Sequence, residues 1–294
     1  MLSVADPLQP DEPDAAAFES QMRWVKASFN VLPLDVAVAA LREGNLPARS
    51  LCITFDDGYA DNRSIAVPIL QRLQLHSTFF VATGFLDGGR MWNDTVIEAI
   101  RRAEPDRLDL SDLGLGTYDI TFMAGRVAAI EDVIGKLKYK PPSQRSAHAD
   151  AIADRVGANL PDDLMLNSAQ VCEIRDAGMS IGAHTVDHPI LACLSDAAAR
   201  RQIVESKRAL EELLRDPVGL FAYPNGEPGR DFTRRHVDMV RELGFDAAVT
   251  TACGAAVPGC DPHQIPRFTP WDRSEFRFNL RLARNTRVVD YALV

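Results

Sequence analysis

Residues 52–62 read CITFDDGYADN: two carboxylates, Asp56 and Asp57, end a short apolar run, and Gly58 follows them. Much later, HTVDHP sets His184 and His188 four residues apart, in a chain with six histidines in all. A third polar stretch, AYPNGE, closes another apolar run at 219–224. Each has a plain reading alone. Asp-Asp-Gly is turn and helix-capping chemistry, Tyr-Pro-Asn-Gly is a turn, and two loop histidines need share no purpose. Taken together they point to a metal site. Imidazoles four apart on a helical turn lie on one face and can grip one ion. One carboxylate then completes a facial N,N,O set with an open position for water. Such a set suits Zn²⁺, and Co²⁺, Ni²⁺ or Fe²⁺ can use the same ligands. The other carboxylate remains as a base toward water. Thr185 and Asp187 can orient the rings, and the turn at Tyr223, Pro224 and Asn225 can aim backbone N–H groups at a developing oxyanion.

These residues need a frame that brings three distant segments together. Short β-rich runs at 50–55, 77–82, 179–184, 219–224, 246–251 and 264–268 alternate with amphipathic stretches near 61–73, 168–177, 195–215, 229–243 and 274–283. A helix over AAAFESQMRWVKASF and another ending at Gly44 precede them. Strand–helix alternation predicts an α/β fold of parallel strands with helices outside. In such folds active sites gather at the carboxyl ends of strands, where all three polar motifs fall. Roughly ninety-five residues separate the second and third strands, too many for a structureless loop. Residues 87–165 therefore read as a mostly helical insertion, with helical patterns near 92–103, 126–138 and 144–157 and room for a small hairpin, within a single domain of 1–294.

Bulk composition narrows the function classes. The chain of 294 residues is 46% hydrophobic and 25% charged, with a net charge of −9 and no Lys/Arg-rich stripe, which speaks against a nucleic-acid partner. No window approaches 18 uninterrupted apolar residues, so no transmembrane segment is expected. The first residues lack a basic region followed by an apolar one, so the chain reads as cytoplasmic, or as periplasmic or secreted if it is a piece of something longer. Five cysteines with no C-x-x-C pair read as free thiols, and a Cys253–Cys260 disulfide is compatible with the sequence but not implied by it.

The motif set resembles the polysaccharide deacetylases with the NodB homology domain, carbohydrate esterase family 4. TFDDG at 54–58 looks like that family's first motif, HTVDH at 184–188 its second, and FAYPNG at 221–226 a variant of its third. The likeness covers about 50–270 and is closest to the branch acting on β-1,6-linked poly-N-acetylglucosamine and related exopolysaccharides. It implies a distorted (β/α)7 barrel. Asp57, His184 and His188 would hold the metal, Asp56 would be the general base, and the Tyr223 N–H would face the oxyanion. The partner would be an N-acetylated oligo- or polysaccharide, cleaved to acetate and a free amine. Two departures stand out. Ala222 occupies the place where the family's third motif carries an arginine that orients the base, for which Arg267 in IPRF is the candidate replacement. The late Leu-x-His that supplies the family's acid is not recognisable, and His263 falls at the wrong end of its strand. In MWND, Trp92 can stack on a sugar and Asn93 or Asp94 can reach it, or the trio packs and caps the next helix. Trp271 is a second aromatic candidate for lining the site. Two rival readings keep the same residues: an amidohydrolase or deformylase acting on another C–N amide, and a weakly active carbohydrate-binding relative.

Overall fold

The computed structural model describes residues 4–10, 12–104, 106–270 and 272–294, so Trp271 lies outside the described residues. Helix α1 (Ala15–Ser28) begins where the Asp14 carboxylate accepts the Ala17 N–H at 2.8 Å, and it buries Phe18, Met22 and Val25. The chain continues through β1 (Asn30–Val31), α2 (Leu34–Glu43), β2 (Ser50–Leu51), β3 (Ile53–Phe55), α3 (Val67–Leu73) and β4 (Ser77–Val81). It then leaves the sheet for α4 (Trp92–Arg102), β5 (Arg107–Leu110), β6 (Gly116–Asp119), α5 (Met123–Leu137) and α6 (Pro142–Val156). The return runs through α7 (Ser168–Asp176), β7 (Ser180–Ala183), α8 (Asp196–Leu214), β8 (Leu220–Ala222), α9 (Arg234–Glu242), β9 (Ala247–Val249) and α10 (Glu275–Asn285).

Strands β3, β4, β7, β8 and β9 form one parallel sheet in that order. Before it, β1 pairs in parallel with β2; after it, Ile265 bridges in parallel to Val249. The chain thus forms a curled, open barrel of parallel strands whose edges are short. Two expected strands are reduced. The run at 50–55 is interrupted at Cys52, and that at 264–268 contracts to the Ile265 bridge, because Pro266 has no N–H to continue a ladder.

Alternation along the strands builds two different faces. Phe79, Val81, Ile181, Ala183, Phe221 and Ala248 join the large core under the helices. Phe80, Leu220, Ala222, Ala247, Val249 and Ile265 join a second cluster with Leu34 and Val38 of α2. Thr54 and Gly182 share that second parity within β3 and β7, and Asp56, His184 and Arg267 continue it just past the pairing, which is why the polar residues converge.

The insertion has its own apolar cluster, with Val96, Ile100, Leu110, Ile120, Val133 and Ile152 among its members, and β5 and β6 pair as an antiparallel hairpin. Arg126 satisfies the carbonyls that end α4, donating to Ile100, to Arg101 at 3.2 Å and to Ala103 at 2.7 Å. The insertion also reaches the barrel: the Tyr139 hydroxyl lies 3.2 Å from the Asp231 carboxylate, beyond β8, and Arg230 stacks 4.6 Å from the Tyr139 ring.

Gly182 is required by its neighbours rather than by its backbone angles. A Cβ there would lie 2.4 Å from the Phe80 ring and 3.1 Å from the Leu220 carbonyl oxygen. Phe80 is fully buried and underlies Arg267 at 5.8 Å, so it has nowhere to go. Gly182→Ala is expected to lower the unfolding free energy by about 1–3 kcal/mol, the usual cost of overfilling a core, as read by urea unfolding.

Candidate active site

The chain breaks out of strand geometry just after Phe55, at Asp57. Asp57 adopts a left-handed backbone (φ 75°), Gly58 follows with φ 87°, and the Gly58 N–H bonds back to the Asp56 carbonyl at 3.0 Å. This tight turn lets adjacent acids serve one site although neighbouring strand residues would face opposite ways.

Arg267 grips Asp56 with both arms of its guanidinium, Nη1 to Oδ1 at 2.8 Å and Nη2 to Oδ2 at 2.7 Å. It is itself fixed by Nε donating to the Thr250 carbonyl at 3.0 Å and Nη1 donating to Thr54 Oγ1 at 3.0 Å. Burial works against charge on Asp56, but the Arg267 charge and hydrogen bonds overcome it, with both histidines assisting, and hold its pKa down at about 2. Asp56 is therefore ionised at neutral pH, with its orientation fixed.

Asp57 Oδ1 lies 3.3 Å from His184 Nε2 and 3.3 Å from His188 Nε2, and the two rings are 4.8 Å apart. His184 is 1% exposed, and its Nδ1 sits 2.8 Å from the Ala222 carbonyl oxygen. A carbonyl can only accept, so Nδ1 carries a proton, and Nε2 is the ring atom turned toward Asp57. Burial opposes a proton on His184, yet Asp57, Asp56 and the Ala222 carbonyl together raise its pKa. For His188, burial prevails, aided by the positive charges of His184 and Arg145, and its pKa drops to about 4. The donor set asks for one positive charge between a carboxylate and two imidazoles, and a divalent ion meets that need. These ligand atoms all lie within 4.8 Å of one another, and this is the group of metal-ligating type found among the described residues. A carbonyl-oriented imidazole is the usual support of a metal-binding histidine.

Some expected placements change and others stand. His184 and His188 do not share a helical turn: the loop between them is irregular, with Thr185 (φ 64°) and His188 (φ 48°) both left-handed, and these bends bring the rings together. The Tyr223 N–H donates to the Val249 carbonyl at 3.3 Å, and its ring is buried 3.9 Å from Phe232 with the hydroxyl on the His263 carbonyl, so Tyr223 is built into the barrel wall. Pro224 is buried, and Asn225 and Gly226 complete the turn with φ of 61° and 76°. His263 Nε2 pairs with the Phe245 carbonyl oxygen at 2.9 Å, at the far end of its strand. All five cysteines are free thiols. Trp92 is half-buried at the start of α4, and Asn93 lies 3.4 Å from Asp94. Asp94 does not cap its helix: its carboxyl accepts the Tyr59 hydroxyl, at 3.0 and 3.2 Å to its two oxygens.

Sequence reasoning passed over Thr54, Tyr59 and the Ala222 carbonyl. Thr54 and Tyr59 flank the acid pair at even and odd offsets that a strand pattern can flag. A backbone carbonyl carries no side-chain signal at all.

Two outcomes follow from this geometry. Losing one of three ligands, His184→Ala is expected to lower bound zinc about tenfold or more, measured by elemental analysis after dialysis. Asp94 is 6% exposed, and burial, with the Asp57 charge adding to it and Tyr59 opposing, pushes its pKa up to about 7. An unfolded aspartate titrates near 3.9, so between about pH 4 and 7 the folded chain holds a proton that the unfolded chain has released, and stability falls as pH rises. Asp94→Asn removes this effect, and its melting temperature is expected to gain on the parent between pH 5 and pH 8; a constant difference would contradict the assignment.

Comparison with known proteins gives a consistent picture. The family model described as polysaccharide deacetylase matches residues 43–107 and 128–248. YxkH of Bacillus subtilis (strain 168) is 20% identical over 241 residues, covering 81% of this chain and 58% of YxkH. Poly-beta-1,6-N-acetyl-D-glucosamine N-deacetylase of Staphylococcus aureus (strain MSSA476) is 29% identical over 104 residues, covering 35% of this chain and 36% of the relative. This chain therefore aligns with 58% of the length of the first of these curated relatives and 36% of the second. Among solved structures, IcaB from Ammonifex degensii superposes with a TM-score of 0.59 at 19% identity, over 90% of this chain and 89% of that one. PplD, a deacetylase of Streptococcus pyogenes, superposes with a TM-score of 0.58 at 21% identity, over 90% and 86%. The shared fold, together with a family match over more than half of its residues, makes this chain a member of the polysaccharide deacetylase family.

Proposed function

We propose that the chain hydrolyses N-acetyl groups on an N-acetylated amino-sugar glycan, releasing acetate and leaving a free amine. The observation that carries this reading is the pairing of two differently partnered acids: Asp57 facing two imidazoles, and Asp56 held by Arg267. Asp57, His184 and His188 would hold a divalent ion, zinc by the preference of this ligand set, with cobalt, nickel or iron compatible. When bound, that ion supplies Lewis acidity to water and to the amide carbonyl. The remaining steps belong to the chain. Asp56, ionised and fixed, accepts a proton of the attacking water as its oxygen bonds to the amide carbon; the tetrahedral adduct then collapses, the C–N bond breaking as the nitrogen takes up that proton, so that acetate and a neutral amine leave. Arg267 leaves each Asp56 oxygen a lone pair for that proton, at the expense of basicity. The relatives named for poly-β-1,6-N-acetyl-D-glucosamine support a β-linked N-acetylglucosamine polymer as the first substrate to try.

Asp56→Asn keeps the metal ligands and removes the base. It is expected to retain zinc and to lose about 10²–10⁴-fold in acetate release from an N-acetylglucosamine oligomer. An undiminished rate would sink the assignment. Arg267→Met leaves Asp56 without its cation and is expected to lower kcat by about 10²-fold with zinc content unchanged, while Arg267→Lys, which keeps the charge but not the fork, recovers part of the rate.

A further inference from the structure

Helix α6 of the insertion turns Arg145, Ala149 and Ile152 inward, at i, i+4 and i+7. The last two join the insertion's apolar cluster. The first is an arginine where the stripe calls for an apolar side chain, and it is 5% exposed. Its guanidinium lies 4.9 Å from the centre of the Trp92 ring. Its Nε has no hydrogen-bond partner, and no carboxylate forms an ion pair with it among the described residues. The acidic group near enough to act on it is the Cys193 thiol. Burial accordingly pushes the Arg145 pKa down. Buried guanidinium groups are ordinarily paired, since an uncompensated charge in a desolvated place is strongly unfavourable.

The position of this unpaired cation is informative. Trp92 opens α4, and two residues later Asp94 is bonded to Tyr59, itself two residues beyond Asp57. The first turn of α4 is thereby stitched to the turn that carries the acid pair. Helix α6 packs on α4, which sets Arg145 against the helix so tied to the acid turn. Trp92 remains half-buried, so part of its side chain stays open to solvent.

We propose that Arg145, backed by Trp92, is a subsite for a carboxylate carried by the glycan, so that the preferred substrate is an acidic N-acetylated amino-sugar polymer. A guanidinium lying against an aromatic face presents its donors in one plane, and a planar carboxylate can take two of them at once. The carboxylate supplies the missing counter-charge and positions the adjacent N-acetyl sugar toward the turn that carries the acid pair. This rests on the deacetylase reading of the Asp56–Asp57 site.

The test uses two tetrasaccharides and the zinc-loaded full chain. One is a neutral N-acetylglucosamine tetramer; the other alternates N-acetylglucosamine with glucuronic acid. The unaltered chain is expected to bind the acidic tetramer at least about tenfold more tightly by calorimetry, and to show a matching preference in kcat/KM. In Arg145→Gln both ratios are expected to collapse toward one, with Arg145→Lys in between. Because the cation is unpaired in the free chain, Arg145→Met is expected to melt no lower than its parent. Equal affinity for the two tetramers in the unaltered chain, ratios unchanged in Arg145→Gln, or a large fall in melting temperature in Arg145→Met would each overturn the proposal. If neither tetramer is deacetylated, the deacetylase reading fails, while calorimetric binding still judges Arg145.

Discussion

Two like charges on consecutive residues at one sheet end are tolerable only if each has its own positive partner. Asp56 has Arg267 in a two-pronged ion pair, and Asp57 has two imidazoles on one oxygen. Everything else around the site serves that separation. The left-handed turn at Asp57 points the two carboxyls apart, Thr54 and the Thr250 carbonyl lock the guanidinium, and the Ala222 carbonyl fixes the His184 tautomer. The sheet contributes through parity: Thr54, Phe80, Gly182, Ala222 and Ile265 share the face on which the polar groups meet.

Much of this was legible from residue order. Apolar runs ending in polar motifs located the strand ends, because a parallel α/β fold leaves few other places for them. Arg267 was traceable from its place after an apolar run, once Ala222 proved unable to orient the base. What escaped reading was backbone chemistry. The left-handed angles at Thr185 and His188, which replace the expected helical turn, occur in non-glycine residues and carry no compositional mark. The engagement of the Tyr223 N–H with Val249 depends on which strand lies next to β8, a tertiary fact. The apolar residues at 264–268 carry a strand pattern, yet Pro266 lacks the N–H that would extend pairing beyond Ile265.

The insertion is more than a decoration between β4 and β7. Its main apolar cluster is separate from the barrel cores, and it touches the barrel through a small apolar contact of Met91 and Met165 with Ala82 and through polar links: Asp94 to Tyr59, Tyr139 to Asp231 and Arg230. Polar links of this kind are directional. They orient α4 and α6 relative to the acid pair without merging two cores, so the lining of the site can vary while the barrel stays as it is.

The arginine that steadies Asp56 is 211 residues further along the chain. During synthesis, the segment bearing both acids and both histidines emerges first, and the potential base stays without its counter-ion until the final strand segment leaves the ribosome. Closure of such a long loop is slow compared with helix formation. The order of synthesis thus works as a timer: a chain cut short before residue 267 lacks the counter-ion of Asp56, so the acid pair reaches its final arrangement only when the last strand segment has docked.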